Sequence, residues 1–250
     1  MKIKTVASSR PIYKKIDGVK TKIDTKYHRK VIVETITTHD DNVSRETLHI
    51  SGGNIKVDAT ILSVSSGTNC VNRLTCPYSK YNTSVSRETS ITCYAQKCDD
   101  IHPSVKTCYD ANEQFLNSNV SRETSVMDTV IETIERVNLR NGYKKKILRL
   151  NESGDLSNTN IDFLEYVVSR LVDKGWRVYS YTHSSANLQA RIEAAGATIM
   201  ESDIDFVIVK DVAEAKLKGI TVCPAQTHGL KCGSQCNRCA KKLITGVLGH

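Results

Sequence analysis

The sequence predicts an α/β protein with a mostly parallel sheet and a cysteine-rich metal site at its C-terminal end. Three observations lead there. Helical and strand periodicities alternate from about residue 125 to residue 222. Four cysteines, Cys223, Cys232, Cys236 and Cys239, crowd into one short polar stretch. The composition, 39% hydrophobic and 25% charged over 250 residues, suits a chain that buries a sizeable core.

The elements follow in order. Residues 1–50 are polar and basic, with one strand-like run from Val31 to Ile36. A second run, Ile55 to Val64, leads into the first cysteines. Residues 65–108 are rich in Ser, Thr, Asn and Cys and read as a long loop, a length that demands something to tie it down. Ser125 to Asn141 is a helix, because Val126, Val130, Ile134 and Val137 recur at helical spacing and Asn141-Gly142 stops it. Lys146 to Leu150 is a strand that ends at Asn151-Glu152-Ser153-Gly154-Asp155. Asn160 to Lys174 is a second helix, closed by Gly175. A strand from Trp176 to Tyr181 and a helix from Ser185 to Ala195 come next. Strands at Ala197–Met200 and Phe206–Val209, a short helix and Ile220–Val222 complete the series. Working residues in such sheets lie at the carboxyl ends of the strands. The chain thus divides into a basic region, 1–50, an α/β domain, 51–222, and a cysteine-rich segment, 223–250.

Charge and cysteine usage narrow the class. No apolar run approaches the roughly 20 residues that span a bilayer, and Met1-Lys2-Ile3-Lys4 lacks a secretory apolar region. The expected location is the cytoplasm, with no membrane partner. Nine cysteines in a reducing compartment argue for ligation over a disulfide framework. The net charge of +8 is concentrated at the start, where residues 1–30 hold ten Lys/Arg against Asp17 and Asp24. Such a face can meet phosphate backbones, so a nucleotide or nucleic acid is the expected partner class. A solvated, solubility-giving arm has the same composition.

The constellations that carry chemistry are three. The C-terminal set runs from Cys223-Pro224 to Cys232 and then Cys-x3-Cys-x2-Cys through Cys236 and Cys239. Four thiolates suit a closed zinc site or an iron–sulfur cluster, with His228 a neighbour inside the loop. The upstream set, Cys70, Cys76, Cys93, Cys98 and Cys108, is loosely spaced. Cys70, Cys76 and Cys93 are the expected ligands of one cluster, with Cys98 next, and dispersed structural thiols are the alternative. Third come the strand-end motifs. Glu152 and Asp155 can accept hydrogen bonds, Ser153 and Gly154 permit close backbone approach, and His183, in Tyr181-Thr182-His183-Ser184, is a candidate acid or base. A plain strand-to-helix turn has a similar composition.

One pentapeptide, Val-Ser-Arg-Glu-Thr, occurs three times, at Val43–Thr47, Val85–Thr89 and Val120–Thr124. Its flanks share no hydrophobic pattern, so it is not a structural repeat. The codons GTT-TCA-CGT-GAA-ACA, preceded by T, give TGTTTCACGTGAAACA, an inverted repeat of about sixteen base pairs suited to a two-fold reader. It resembles the parS centromere bound by ParB-type partition proteins. The expectation is that a ParB-type protein binds the gene, and that the chain carries the translated sites in loops.

Several motifs occur together and in order: Cys76-Pro77, Cys93-Tyr94-Ala95-x-Lys97, Ser153-Gly154-Asp155, Tyr181-Thr182-His183-Ser184 and Cys223-Pro224-Ala225. Over roughly residues 65–240 the chain resembles the phage gene product 88 family, departing from it by the insert between Cys76 and Cys93. The order strand, cysteine loop, helix, strand, Gly/acid motif is similar, more loosely, to radical S-adenosylmethionine enzymes. That likeness implies an incomplete parallel β/α barrel. It also implies a [4Fe–4S] cluster on three cysteines, S-adenosylmethionine beside Ser153, Gly154 and Asp155, and an auxiliary cluster or zinc on the C-terminal cysteines. The spacing usual for those enzymes occurs here at Cys232–Cys239, after the sheet instead of after its first strand. The function expected from this likeness is that of an iron–sulfur enzyme. A zinc protein that binds DNA or a host protein is the alternative.

Overall fold

The computed structural model describes residues 2–9, 12–16, 19–23, 29–39, 42–54, 57–64, 67–68, 70–76, 78–84, 93–201 and 204–248. Its main sheet has seven strands: β1 (Lys2–Ser9), β4 (Arg29–His39), β5 (Asn42–Ser51), β6 (Thr60–Leu62), β7 (Ile147–Leu150), β8 (Arg177–Thr182) and β9 (Thr198–Glu201), in that spatial order. Strands β2 (Ile12–Ile16) and β3 (Val19–Ile23) pair as a separate hairpin. The helices are α1 (Tyr94–Ile101), α2 (Pro103–Asn117), α3 (Thr124–Arg140), α4 (Ile161–Asp173) and α5 (Ala186–Ala194). Beyond β9 the chain forms β10 (Phe206–Val209), α6 (Val212–Leu217), β11 (Thr221–Val222), α7 (Pro224–Thr227) and β12 (Thr245–Leu248). In this second sheet β12 lies between β10 and β11, parallel to both.

The alternating half is as the periodicity predicts. Strands β6 to β9 are parallel neighbours, joined through helices. Val126, Val130, Ile134 and Val137 form one stripe on α3, and Ile161, Leu164, Val168 and Leu171 form another on α4. Both stripes pack in one core with Leu62, Leu148, Leu150, Val178 and Ile199 from alternate positions of the strands.

Three expectations are corrected. The sheet is mixed: β1, β4 and β5 add an antiparallel half, joined to the parallel half where Ser51 pairs antiparallel with Ile61. The strand order is linear, and no barrel is seen among the described residues. Within residues 1–50, Val33, Leu48 and Ile50 are fully buried in the main core. The stretch 65–108 is not all loop, because α1 and the start of α2 occupy its end.

Two of the three pentapeptide copies do not sit in loops either. Val43–Thr47 is part of β5, paired with β4. Val120–Thr124 forms a 3-10 turn and the entry to α3, with the Ser121 hydroxyl donating to the Leu116 and Ser118 carbonyls at 3.1 and 2.9 Å. The copy at Val85–Thr89 lies outside the described residues. Among those described, no helix is long and apolar enough to cross a membrane.

Candidate metal centres

The upstream cysteines meet the carboxyl ends of β7 and β8. Asn72, two residues after Cys70, donates from Nδ2 to Asp155 Oδ2 at 2.9 Å and to Ser184 Oγ at 3.4 Å, pinning the loop over the strand ends. Within the loop, the Cys76 amide donates to the Asn72 carbonyl at 2.8 Å and the Cys93 amide to the Tyr78 carbonyl at 2.7 Å. Gln96 on α1 fastens the loop to the helix, donating to Ser79 Oγ at 2.8 Å and the Gly67 carbonyl at 3.2 Å, and accepting from the Lys80 amide. A Cβ on Gly67 would sit 2.4 Å from the Gln96 amide nitrogen, so only glycine allows this approach.

This folding makes neighbours of Cys70, Cys76 and Cys93. Burial pushes the Cys70 thiol up to about 12, with the charges of Asp155, Cys93 and Cys76 adding to the effect. Burial raises Cys76 as well, and Cys93 again contributes. Cys98 lies on α1 and Cys108 on α2, both half-buried. The Tyr78 ring packs against His183 at 5.7 Å between centroids, which brings His183 to the edge of the thiol set.

Asp155 is 4% exposed. Its Oδ1 accepts from the Leu156 amide at 2.8 Å, from Ser184 Oγ at 2.7 Å and from Thr182 Oγ1. Its Oδ2 accepts from Asn72 and, at 3.0 Å, from the His183 amide. Glu152 accepts from Asn54 Nδ2 at 2.6 Å and from the Tyr109 hydroxyl at 3.1 Å. Both carboxylates are thus held by protein donors. Asn151 and Ser153 differ: at 5% and 4% exposure, both amide atoms of Asn151 and the Ser153 hydroxyl lack a partner among the described residues. Asn151 also has φ of 52°, and Gly154 has φ of 81°.

The C-terminal cysteines lie on the opposite face of the sheet. Cys223, Cys232, Cys236 and Cys239 all line one small cavity with Ile147 and Tyr179. The Asp58 amide donates to the Cys232 carbonyl at 2.8 Å, and Ser234 Oγ donates to Asp58 Oδ2 at 2.7 Å, docking the segment beside β6. Gly233, at φ of 90°, makes that approach possible, because a Cβ there would lie 2.4 Å from the Asp58 carbonyl oxygen. Burial pushes the Cys232 thiol up to about 11, with Cys223 adding and Arg149 opposing. Burial also raises Cys239, against a hydrogen bond from Tyr181. His228 is exposed and bonds Thr227 Oγ1 at 2.7 Å.

All nine cysteines are free thiols. Among the described residues, no three Cys, His, Asp or Glu side chains already stand in ion-holding geometry. Cys70, Cys76 and Cys93 are electrostatic neighbours, and Cys223, Cys232, Cys236 and Cys239 share one cavity. Sequence reasoning missed Asn72, Tyr78, Arg149 and Tyr179, and named Asn151 and Tyr181 only as members of motifs. Strand alternation puts Arg149, Tyr179 and Tyr181 on the face opposite the helical core, and that signal was available.

These features define a class: a cysteine-rich α/β protein with a mixed sheet, one thiol set over its strand ends and another on its far face. A family model described as Gene product 88 matches residues 33–199, and the chain belongs to that family. The matched range holds the upstream thiols and both strand-end motifs, and stops short of the C-terminal cysteines. Comparison with curated proteins and with solved structures found no match.

Proposed function

We propose that this chain is an iron–sulfur enzyme in which Cys70, Cys76 and Cys93 hold a [4Fe–4S] cluster. The strand ends beside it bind S-adenosylmethionine, and the substrate is a nucleotide or nucleic acid. One observation carries the reading: the loop of Cys70 and Cys76 is pinned by Asn72 over the carboxyl ends of parallel strands, with Cys93 an electrostatic neighbour. The donor set fits, since clustered thiolates select iron–sulfur clusters or zinc. Asn151 and Ser153 fit as well. Buried polar atoms without partners are costly, and a polar cofactor group would satisfy them. When bound, the cluster and cofactor supply one-electron chemistry. The chain's own part is to keep water from the thiols, to orient Ser153 through Gly154, and to present His183 at the edge of the site. Asp155 holds these pieces in register, with its carboxylate already engaged.

The C-terminal cysteines are then an auxiliary cluster or a zinc site. A second reading is a zinc protein without catalysis that binds DNA or a host protein. It is favoured by four thiols lining one cavity and by the +8 net charge. Anaerobic purification with metal analysis separates the two. Iron and acid-labile sulfide with broad visible absorbance support the first, and stoichiometric zinc in a colourless protein supports the second. Replacing Cys70, Cys76 and Cys93 together should remove one centre and leave the other filled. If neither metal co-purifies, both readings fail.

At the level of the gene, we infer that the three pentapeptides are translated parS-like sites bound by a ParB-type protein. The same five residues are a strand in one place and a turn in another, so no shared protein conformation accounts for their identity. Reading the codons tests this, and three differently scrambled synonymous versions would end it.

A further inference from the structure

We infer that Tyr181 is a positioning residue of the C-terminal metal centre, its hydroxyl donating a hydrogen bond to the Cys239 sulfur while Arg149 stacks on its ring. This rests on reading Cys223, Cys232, Cys236 and Cys239 as that centre. Tyr181 lies on β8, on the sheet face that the cysteine segment covers, and packs against the same small cluster of Val57, Ile61, Ile147 and Tyr179 as Cys232 and Cys239 do. Its hydroxyl bonds Cys239. Its ring meets Tyr179 edge-on at 5.9 Å between centroids, and the Arg149 guanidinium lies 5.3 Å from its centre. Arg149 is also electrostatically close to Cys232.

The physical consequence concerns the sulfur. Four thiolates around a divalent ion carry excess negative charge. A hydrogen bond to one sulfur and a nearby guanidinium draw off part of that charge and fix the direction of the ligand. Tyr179 makes a useful contrast, since it shares the face and is electrostatically close to the same cysteines. Of these two tyrosines, Tyr181 is the one hydrogen-bonded to a sulfur among the described residues.

Cobalt(II) titration of the full metal-free chain tests the assignment, read by thiolate-to-cobalt charge-transfer absorption. A Cys76→Ser background weakens the upstream set. Tyr181→Phe should bind cobalt about tenfold more weakly than its parent and shift the band, the scale found when second-sphere partners are lost. Tyr179→Phe should match the parent. Equal losses in both variants, or no loss in Tyr181→Phe, overturn the assignment and leave the metal centre standing. If the parent shows no charge-transfer band, the metal reading itself fails, and the assignment with it. Should Tyr181→Phe lose its far-ultraviolet circular dichroism, Arg149→Gln takes its place. Weakened binding there supports the assignment, and unchanged binding overturns it.

Discussion

Asp155 is surrounded by donors from three separate segments: Asn72 in the cysteine loop, the Leu156 amide, and Thr182, His183 and Ser184 after β8. A carboxylate so placed is an anchor. Asp155→Ala leaves several donors buried and unsatisfied, so it should cost on the order of 3 kcal/mol in urea unfolding. A loss under about 1 kcal/mol would show that the loop is held by something else. Cys70 adds a pH dependence. Burial raises its thiol from the ordinary 9.0 to about 12, so in the metal-free chain its contribution is fully present below pH 9.0 and is lost as pH rises toward 12. The urea midpoint should fall between about pH 8 and about pH 10.5, and fall less in Cys70→Ser. An identical drop in both would refute the role given to Cys70. The strand-end motifs could be read from the sequence because glycine and acids after a strand are conspicuous. Their division of labour could not, because it depends on Asn72 arriving from far along the chain.

Among the elements, α2 shows why part of the fold was hidden. Phe115 and Leu116 are its buried apolar residues, and the other main contact is polar. Asn112, fully buried, donates from Nδ2 to the Ser63 carbonyl at 2.6 Å and to the His49 carbonyl at 3.1 Å, and accepts from the His49 amide at 2.6 Å. A helix clipped to its neighbours through one amide leaves little hydrophobic periodicity to detect. Asn112→Ala should destabilise the protein by about 2–3 kcal/mol, checked by chemical denaturation, because backbone groups of β5 and of the segment after β6 lose their partners. A neutral result would mean that packing alone seats the helix. By contrast, α3 and α4 carry unbroken apolar stripes and stand within a residue or two of their predicted limits. The strands of the first fifty residues were only partly legible. Lysine and threonine fill them, and their pairing is set by register across the sheet.

For the whole molecule, the two faces of the sheet are covered by different means. Helices bury one face through a large apolar core, while the other is closed by a small cluster, Val57, Ala59, Ile61, Ile147, Tyr179 and Ala240, beneath the cysteine segment. Were the cysteine segment to hold the proposed metal, ligation would add to so small a cluster. Cys236→Ser with Cys239→Ser should therefore bind a hydrophobic dye and melt several degrees lower than the metal-loaded parent. Equal melting temperatures would mean that the segment docks without metal. The crowding of four cysteines into one C-terminal segment was plain from the sequence. That it covers the far face of the same sheet was not, because the covering follows from the tertiary path.

The place of β12 has a consequence for how the protein is made. Strands β10 and β11 do not pair with each other, and each has β12 as its neighbour in the second sheet. Residues 206–209 and 221–222 are therefore made without a shared partner, and gain one only when residues 245–248 follow. The stretch from Cys223 to Cys239 lies between β11 and β12 in the chain, so closing the second sheet and fixing both ends of the cysteine segment are a single event.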